Sequence, residues 1–253
     1  MNINLIEVLK EERDTKFEGG LYYTTQVKFA YNSNRIEGSR LTENQTRFIF
    51  ENNTLPHEDS DFTNIDDIIV ARNHFKCFDF MLETIEEELS ERIIKEFHSI
   101  IVSDTLDASK PWFNVGDYKQ SANKVADIET SEPHLVRDHM NDLLSTYNKI
   151  DEKTLRDIID FHKTFETIHP FQDGNGRVGR LIMFRECLVN DIMPFIIDSD
   201  LRNYYYEGLR KYQINGVNKY LMTACEAAQV TYYEIVKYFY PSLVIDQNQA
   251  VGI

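Results

Sequence analysis

Positive charge is scarce in this chain. Lys and Arg total 27 against 42 Asp and Glu, a formal charge of -15 over 253 residues, so direct nucleic-acid binding through a broad basic face is not expected and any anion must be held locally. Cysteine is scarce too: Cys77, Cys187 and Cys225 are far apart, odd in number and free of any C-x-x-C pair. That excludes a disulfide framework or a zinc knuckle, and buried thiols in a reducing, cytoplasmic setting are expected instead. Long apolar runs are missing. The longest, such as IMPFII at 192–197, fall far short of the roughly 20 residues that cross a bilayer. The amino terminus, MNINLIEVLKEERD, meets charge within seven residues and has no apolar h-region, so neither a leader nor a membrane partner is expected. Internal repeats and low-complexity linkers are also lacking.

What is present is an ordinary globular composition, 42% hydrophobic and 27% charged, in a chain long enough for one large domain. A single domain over 1–253 is expected. Residues 151–168 put Leu155, Ile158, Ile159, His162, Phe165 and Ile168 at three- and four-residue steps, the stripe of a core-facing helix. Residues 64–87, 89–102, 132–148, 177–190 and 202–213 read similarly, and 218–239 reads as a last helix before Pro241. Residues 112–130 have turn residues between alternating flanks and suggest a short hairpin. The class is mainly α, with loose ends expected only near 52–63 and after Ser242.

The densest chemistry is HPFQDGNGRVGR, residues 169–180. A helix from 151 should stop at His169, because the residue before proline is pushed out of the right-handed helical region. A second helix should begin near Asn175, leaving a glycine-rich turn whose free N–H groups and helix dipole favour an anion. Arg177 and Arg180 are three apart, on one face, and can hold further phosphates by forked hydrogen bonds. A carboxylate beside phosphates, here Asp173, more often holds Mg²⁺ than repels them. His169, with an imidazole near its ordinary pKa of about 6.5, can take a proton from a hydroxyl. Gly174 to Gly179 also spell G-x-G-x-x-G, with Asp198 and Asp200 downstream. The context rejects a dinucleotide fingerprint, since a helical segment and Pro170 precede it rather than a strand.

These residues match, at every fixed position, the H-P-F-x-[DE]-G-N-G-R-x-x-R signature of Fic-domain proteins, which the chain resembles over about residues 20–215. The resemblance implies a Fic-type helical bundle with a β-hairpin flap at 112–130, where a protein target docks, and where Gly116-Asp117-Tyr118-Lys119 carries Lys in place of the family's common Arg. It implies an N-terminal helical region at 1–60, a catalytic core at 64–215 and a C-terminal helix and tail at 216–253. It further implies transfer of AMP from ATP to a Ser, Thr or Tyr hydroxyl of a target protein or of the chain itself, releasing pyrophosphate. His169 would be the general base and Asp173 would hold Mg²⁺, with Mn²⁺ as the alternative. Gly174, Asn175 and Gly176 would form the anion hole, Arg177 would neutralise the polyphosphate and Arg180 would grip the γ-phosphate. Val178 and Gly179 complete the nucleotide-binding segment, Phe171 anchors the loop, and Val125 and Tyr205 are candidates for contacting adenine. Homo-oligomerisation is left open.

The second informative stretch is YNSNRIEGSRLTENQT, residues 31–46. Gly38 reads as the residue ending a helix begun near Leu21, and Thr42 to Gln45 as a capping box for the next. Glu37 has no such local explanation. Ser33 to Gly38 resembles the family's inhibitory motif, [ST]-x-x-x-E-[GN], which implies that Glu37 pairs with Arg180, occupies the γ-phosphate site and keeps basal activity low. Two further readings stay open: a de-AMPylase in which Glu37 aligns a water, and a module that binds nucleotide without turnover.

Overall fold

Residues 4–56, 63–125 and 127–245 are described by a computed structural model of the chain. The helices begin where the sequence supplies caps. Helix α1 (Leu5–Thr15) carries an Asn4–Glu7 capping box, α3 (Glu43–Asn52) a Thr42–Gln45 box, and α7 (Leu155–Ile168) a Thr154–Asp157 box. Helix α2 (Leu21–Ile36) follows Gly20, which has no side chain to cap it. Instead Glu12 of α1 accepts a 2.7 Å hydrogen bond from the Tyr22 amide, so the first helix caps the second.

Helices α4 (Ile65–Glu83), α5 (Glu91–Val102), α6 (Val136–Asn148), α8 (Asn175–Val189), α9 (Arg202–Asn215), α10 (Lys219–Phe239) and the short α11 (Pro241–Ile245) complete the mainly α chain. α4 ends four residues before the expected boundary at 87, and α11 continues past Ser242; parts of both expected loose segments, 57–62 and 246–253, lie outside the described residues. Among the described residues no helix is long and apolar enough to cross a membrane.

Helix α8 is the axis of the arrangement. It packs against α7, α5, α4 and α2, and nearly every residue from Asn175 to Leu188 is buried. Leu181, Phe184 and Leu188 face inward as their spacing implies, but so do Arg177, Arg180, Arg185 and Glu186. A helix enclosed on all sides can carry such groups only if each finds a partner. Arg185 meets Glu186 and the main-chain oxygens of Thr84 and Glu87, while Glu186 accepts from the Tyr147 hydroxyl at 3.0 Å.

The expected hairpin over 112–130 shrinks to an antiparallel pair, β1 (Lys124–Val125) and β2 (Ile128–Glu129), with Lys124 opposite Glu129. The reason lies in where the other polar groups go. The Gly116 amide donates to Nδ1 of His98 (3.1 Å), the Lys119 amide to the Pro170 carbonyl (2.9 Å) and the Asn123 side chain to the Phe171 carbonyl (3.1 Å). Much of this segment bonds to the α7–α8 turn and to His98 of α5 rather than as a strand ladder, which satisfies its backbone as strand pairing would.

Candidate active site

The α7–α8 turn is fixed from beneath. Phe171 is fully buried and its ring stacks on His98 at 3.9 Å. Asn175 reaches back to the same residue, accepting from the Phe171 amide and donating to its carbonyl, both at 2.9 Å. Gly174 stands before α8 with φ +82 and no side-chain cap. The first intrahelical bond there is Val178 N–H to the Gly174 carbonyl, so the amides of Asn175, Gly176 and Arg177 are the unsatisfied donors of the helix start, a ready anion site. Asn175 thus contributes its amide, while its side chain is committed to the turn.

His169 closes α7 in the left-handed conformation, φ 51 and ψ 62. The expected imidazole near pKa 6.5 is not what the structure gives. Burial, reinforced by the nearby Lys119 ammonium, pushes His169 down to about 4. At neutral pH the ring is uncharged and able to accept a proton. Lys119 itself is buried: its ammonium bonds Asn123 Oδ1 (2.7 Å), Thr130 Oγ1 (2.8 Å) and the Ile168 carbonyl (3.4 Å). It faces the turn rather than a docked target, and burial pushes it down to about 8.

Arg180 is 3% exposed. Its guanidinium donates from Nε to Ser33 Oγ (3.0 Å) and from Nη2 to the Ser33 carbonyl (2.9 Å) and Glu37 Oε1 (2.7 Å). Glu37 follows α2, and Gly38, with φ +103, ends that helix as its C′ residue. The α2 end is held from the other side by Arg202, whose Nε donates to the Ile36 carbonyl at 2.6 Å. A Cβ on Gly176 would collide with the Glu37 carboxylate; the missing side chain there lets the carboxylate lie against the start of α8. Asp173 is half exposed and accepts from Arg177 Nη2 at 2.7 Å. Asp173, Arg177, Glu37, Asn34, Asp66 and Asp67 line a cleft of about 180 Å³. Carboxylates outnumber cations there, so an anion depends on the helix-start amides and the two arginines.

Several expected residues stand elsewhere. Tyr205 is 1% exposed with its hydroxyl 2.6 Å from His162 Nε2, so it stands in the core; its neighbour Tyr206, half-buried and facing the Glu37–Arg180 pair and the Arg202 guanidinium, is nearer the site. Val178 is fully buried. Gly179 is interior as well, where a Cβ would lie 2.8 Å from the His162 ring and 2.9 Å from Glu166 Oε1. Val125 is half-buried on β1. The sequence reading missed Glu166, Lys119 as a strut, and His98, since Glu166 and Lys119 read as solvated charges and His98 as plain core.

Among the described residues no group of three or more His, Cys, Asp or Glu converges on a metal position. Of the carboxylates that line the cleft, Asp173 stands beside the start of α8, and Mg²⁺ is commonly held by one or two carboxylates together with substrate phosphates and water. The donor set fits that mode.

Comparison with known proteins gives a consistent account of the fold. Residues 88–187 match the model of the Fic/DOC family. The chain is 27% identical over 223 residues to Protein adenylyltransferase Fic of Nematostella vectensis, covering 81% of this chain and 49% of that protein. It is 27% identical over 197 residues to Protein adenylyltransferase fic-1 of Caenorhabditis elegans, covering 73% of this chain and 36% of that one. The chain therefore spans less than half the length of either relative. A solved Fic domain containing signaling protein from Bacteroides thetaiotaomicron superposes with a TM-score of 0.74 at 19% identity, covering 94% of this chain and 96% of that one.

Proposed function

From the match of residues 88–187 to the Fic/DOC family we propose that the chain is a protein adenylyltransferase held in check by its own Glu37. The observation that carries this reading is the juxtaposition of an uncharged imidazole at the end of α7 with the uncapped, arginine-flanked start of α8. In the proposed reaction Nε2 of His169 takes the proton of a Ser, Thr or Tyr hydroxyl. The freed oxygen attacks the α-phosphorus of ATP, the bond from that phosphorus to the bridging oxygen breaks, and pyrophosphate departs. The amides of Asn175, Gly176 and Arg177 hold charge on the α- and β-phosphates, and Arg177 neutralises the leaving group. Asp173 would hold Mg²⁺, which supplies further neutralisation of the pyrophosphate. The target lies along the flap, where an extended segment can pair with main chain.

Arg180 is the group that would grip the γ-phosphate, and its Nη2 is taken by Glu37 at 2.7 Å. With that partner in place ATP binds without its terminal phosphate seated, and the α-phosphate is out of line for attack. Glu37→Gly should therefore raise self-modification and His169→Ala should abolish it. ATP labelled on the α-phosphate tests the chemistry: label retained on protein supports adenylyl transfer, whereas retention only of γ-label refutes it. A second reading is favoured by the position of the Glu37 carboxylate, partly exposed against the start of α8, where it could align a water for removal of AMP. An AMP-modified target that loses AMP with wild type but not with Glu37→Gly would select that reading.

A further inference from the structure

Glu166 is a buried group of the site that the proposed chemistry leaves unused. It lies on the last turn of α7, three residues before His169, with its side chain 8% exposed. Oε2 is 3.8 Å from Nδ1 of His169, a nitrogen that is buried and unpartnered among the described residues. Oε1 is also buried and unpartnered there, as is Nδ1 of His162. The last two converge on one point, 2.9 and 2.8 Å from where a Cβ on Gly179 would stand. We propose that Glu166 is a positioning residue for His169: its carboxyl oxygen receives the Nδ1 proton and so fixes the tautomer that leaves Nε2 free to take the proton of a hydroxyl. The role assigned to Nε2 rests on the adenylyl-transfer reading; the tautomer does not.

A neutral imidazole has one proton to place, and the hydrogen bond made by the other nitrogen decides where it goes. The proton accounting closes with a neutral Glu166, the form its burial favours. His162 Nε2 faces the Tyr205 hydroxyl at 2.6 Å, so donation by Nε2–H leaves His162 Nδ1 as an acceptor without a donor. A proton on Glu166 Oε1 is the donor it lacks. Oε2 is then a carbonyl oxygen, an acceptor, facing the His169 Nδ1–H. Both atoms of that pair are buried and unsatisfied, which is a cost removed when the gap closes by under ~1 Å to hydrogen-bond length.

The surroundings keep this carboxyl group protonated. It is faced by Glu37 from the end of α2, Arg180 from α8, His162 and His169 from α7 and its cap, and Tyr205 and Tyr206 from α9. Burial and then the Glu37 charge push it up to about 8, against the opposing pull of Arg180. The imidazole in turn faces Lys119 and Asp173. A competing acceptor, the main-chain carbonyl of Glu166, also lies toward the ring, and the test has to separate the two.

The test is ¹⁵N NMR of histidine-labelled protein, with the His169 signals assigned by their loss in His169→Gln. Wild type and Glu166→Gln, whose amide can donate to His162 and accept from His169, should both show an unprotonated Nε2. Glu166→Met, which fills the space without an acceptor, should show the proton moved to Nε2; Glu166→Ala serves if the Met variant does not fold. An unchanged tautomer in these variants, or Nε2–H in wild type, overturns the proposal, the first by showing that the main-chain carbonyl suffices. In the Glu37→Gly background, kcat for AMP transfer should fall about 10- to 100-fold with Met, the range seen when partners that orient an imidazole are lost. KM for ATP should stay unchanged and Gln should restore the rate. If Glu37→Gly alone transfers no AMP, the functional reading falls, and the tautomer spectra by themselves support or overturn the positioning role.

Discussion

Glu37→Gly should make the protein less stable in the absence of ATP and more responsive to ATP. The magnitude follows from the partners of Arg180. Breaking a buried pair by removing one member costs about 3–5 kcal/mol when the remaining charge is stranded. Here Arg180 keeps both bonds to Ser33, and the Glu37 side chain is 31% exposed, so a loss of about 1–2 kcal/mol is the reasonable share. For a chain of this size that lowers Tm by about 2–8 °C. ATP supplies phosphate oxygens to the vacated guanidinium, and ATP at about 100 times its Kd stabilises by about 2.7 kcal/mol. Differential scanning fluorimetry with and without ATP and Mg²⁺ reads both effects. A variant as stable as wild type, with no larger shift on adding ATP, would refute the claim that Glu37 and the polyphosphate compete for one guanidinium.

Phe171→Ala removes a fully buried ring that stacks on His98 and should cost about 3–5 kcal/mol in urea unfolding, with loss of the turn geometry and of AMP transfer together. Lys119→Met removes the bonds to Asn123, Thr130 and Ile168; proteolysis within 112–130 should become faster, and unchanged protection would count against the strut. Stability should also fall as pH drops below about 6.5. Burial holds His74, His98 and His162 at about 3 and His169 at about 4, so the unfolded chain binds protons that the folded one does not, whereas Glu166, raised to about 8, opposes this with one proton bound in the folded state. Four histidines against one carboxyl leave a net loss of about 2–3 kcal/mol between pH 6.5 and 5.5, measurable by urea unfolding; constant stability over that range would contradict the buried, neutral histidines.

The helices were legible because their stripes and caps are local. Thr42 to Gln45 and the stop at His169 depend on neighbours one to three residues away, and both stand where the pattern put them. Helix α8 shows what a stripe cannot convey. Its arginines look like a solvated face, yet they are interior because Ser33, Glu37, Thr84 and Glu87, from distant parts of the chain, supply partners. The same limit explains Tyr205, which spacing alone could assign to either face of α9, and the hairpin, whose strands are shortened by bonds to a turn some 50 residues away. Glu166 carried no signal at all. A carboxyl three residues before a histidine on an amphipathic helix reads as a surface group, and only packing against Gly179 and His162 makes it interior.

The Glu37–Arg180 contact should restrain a reaction that His169 performs. Initial rates of adenylyl incorporation from α-labelled ATP, followed by intact-mass spectrometry for wild type, Glu37→Gly and the double variant Glu37→Gly with His169→Ala, measure this directly. Low, raised and absent incorporation, in that order, is the predicted result. Equal rates in wild type and Glu37→Gly, or incorporation that survives loss of His169, would contradict it.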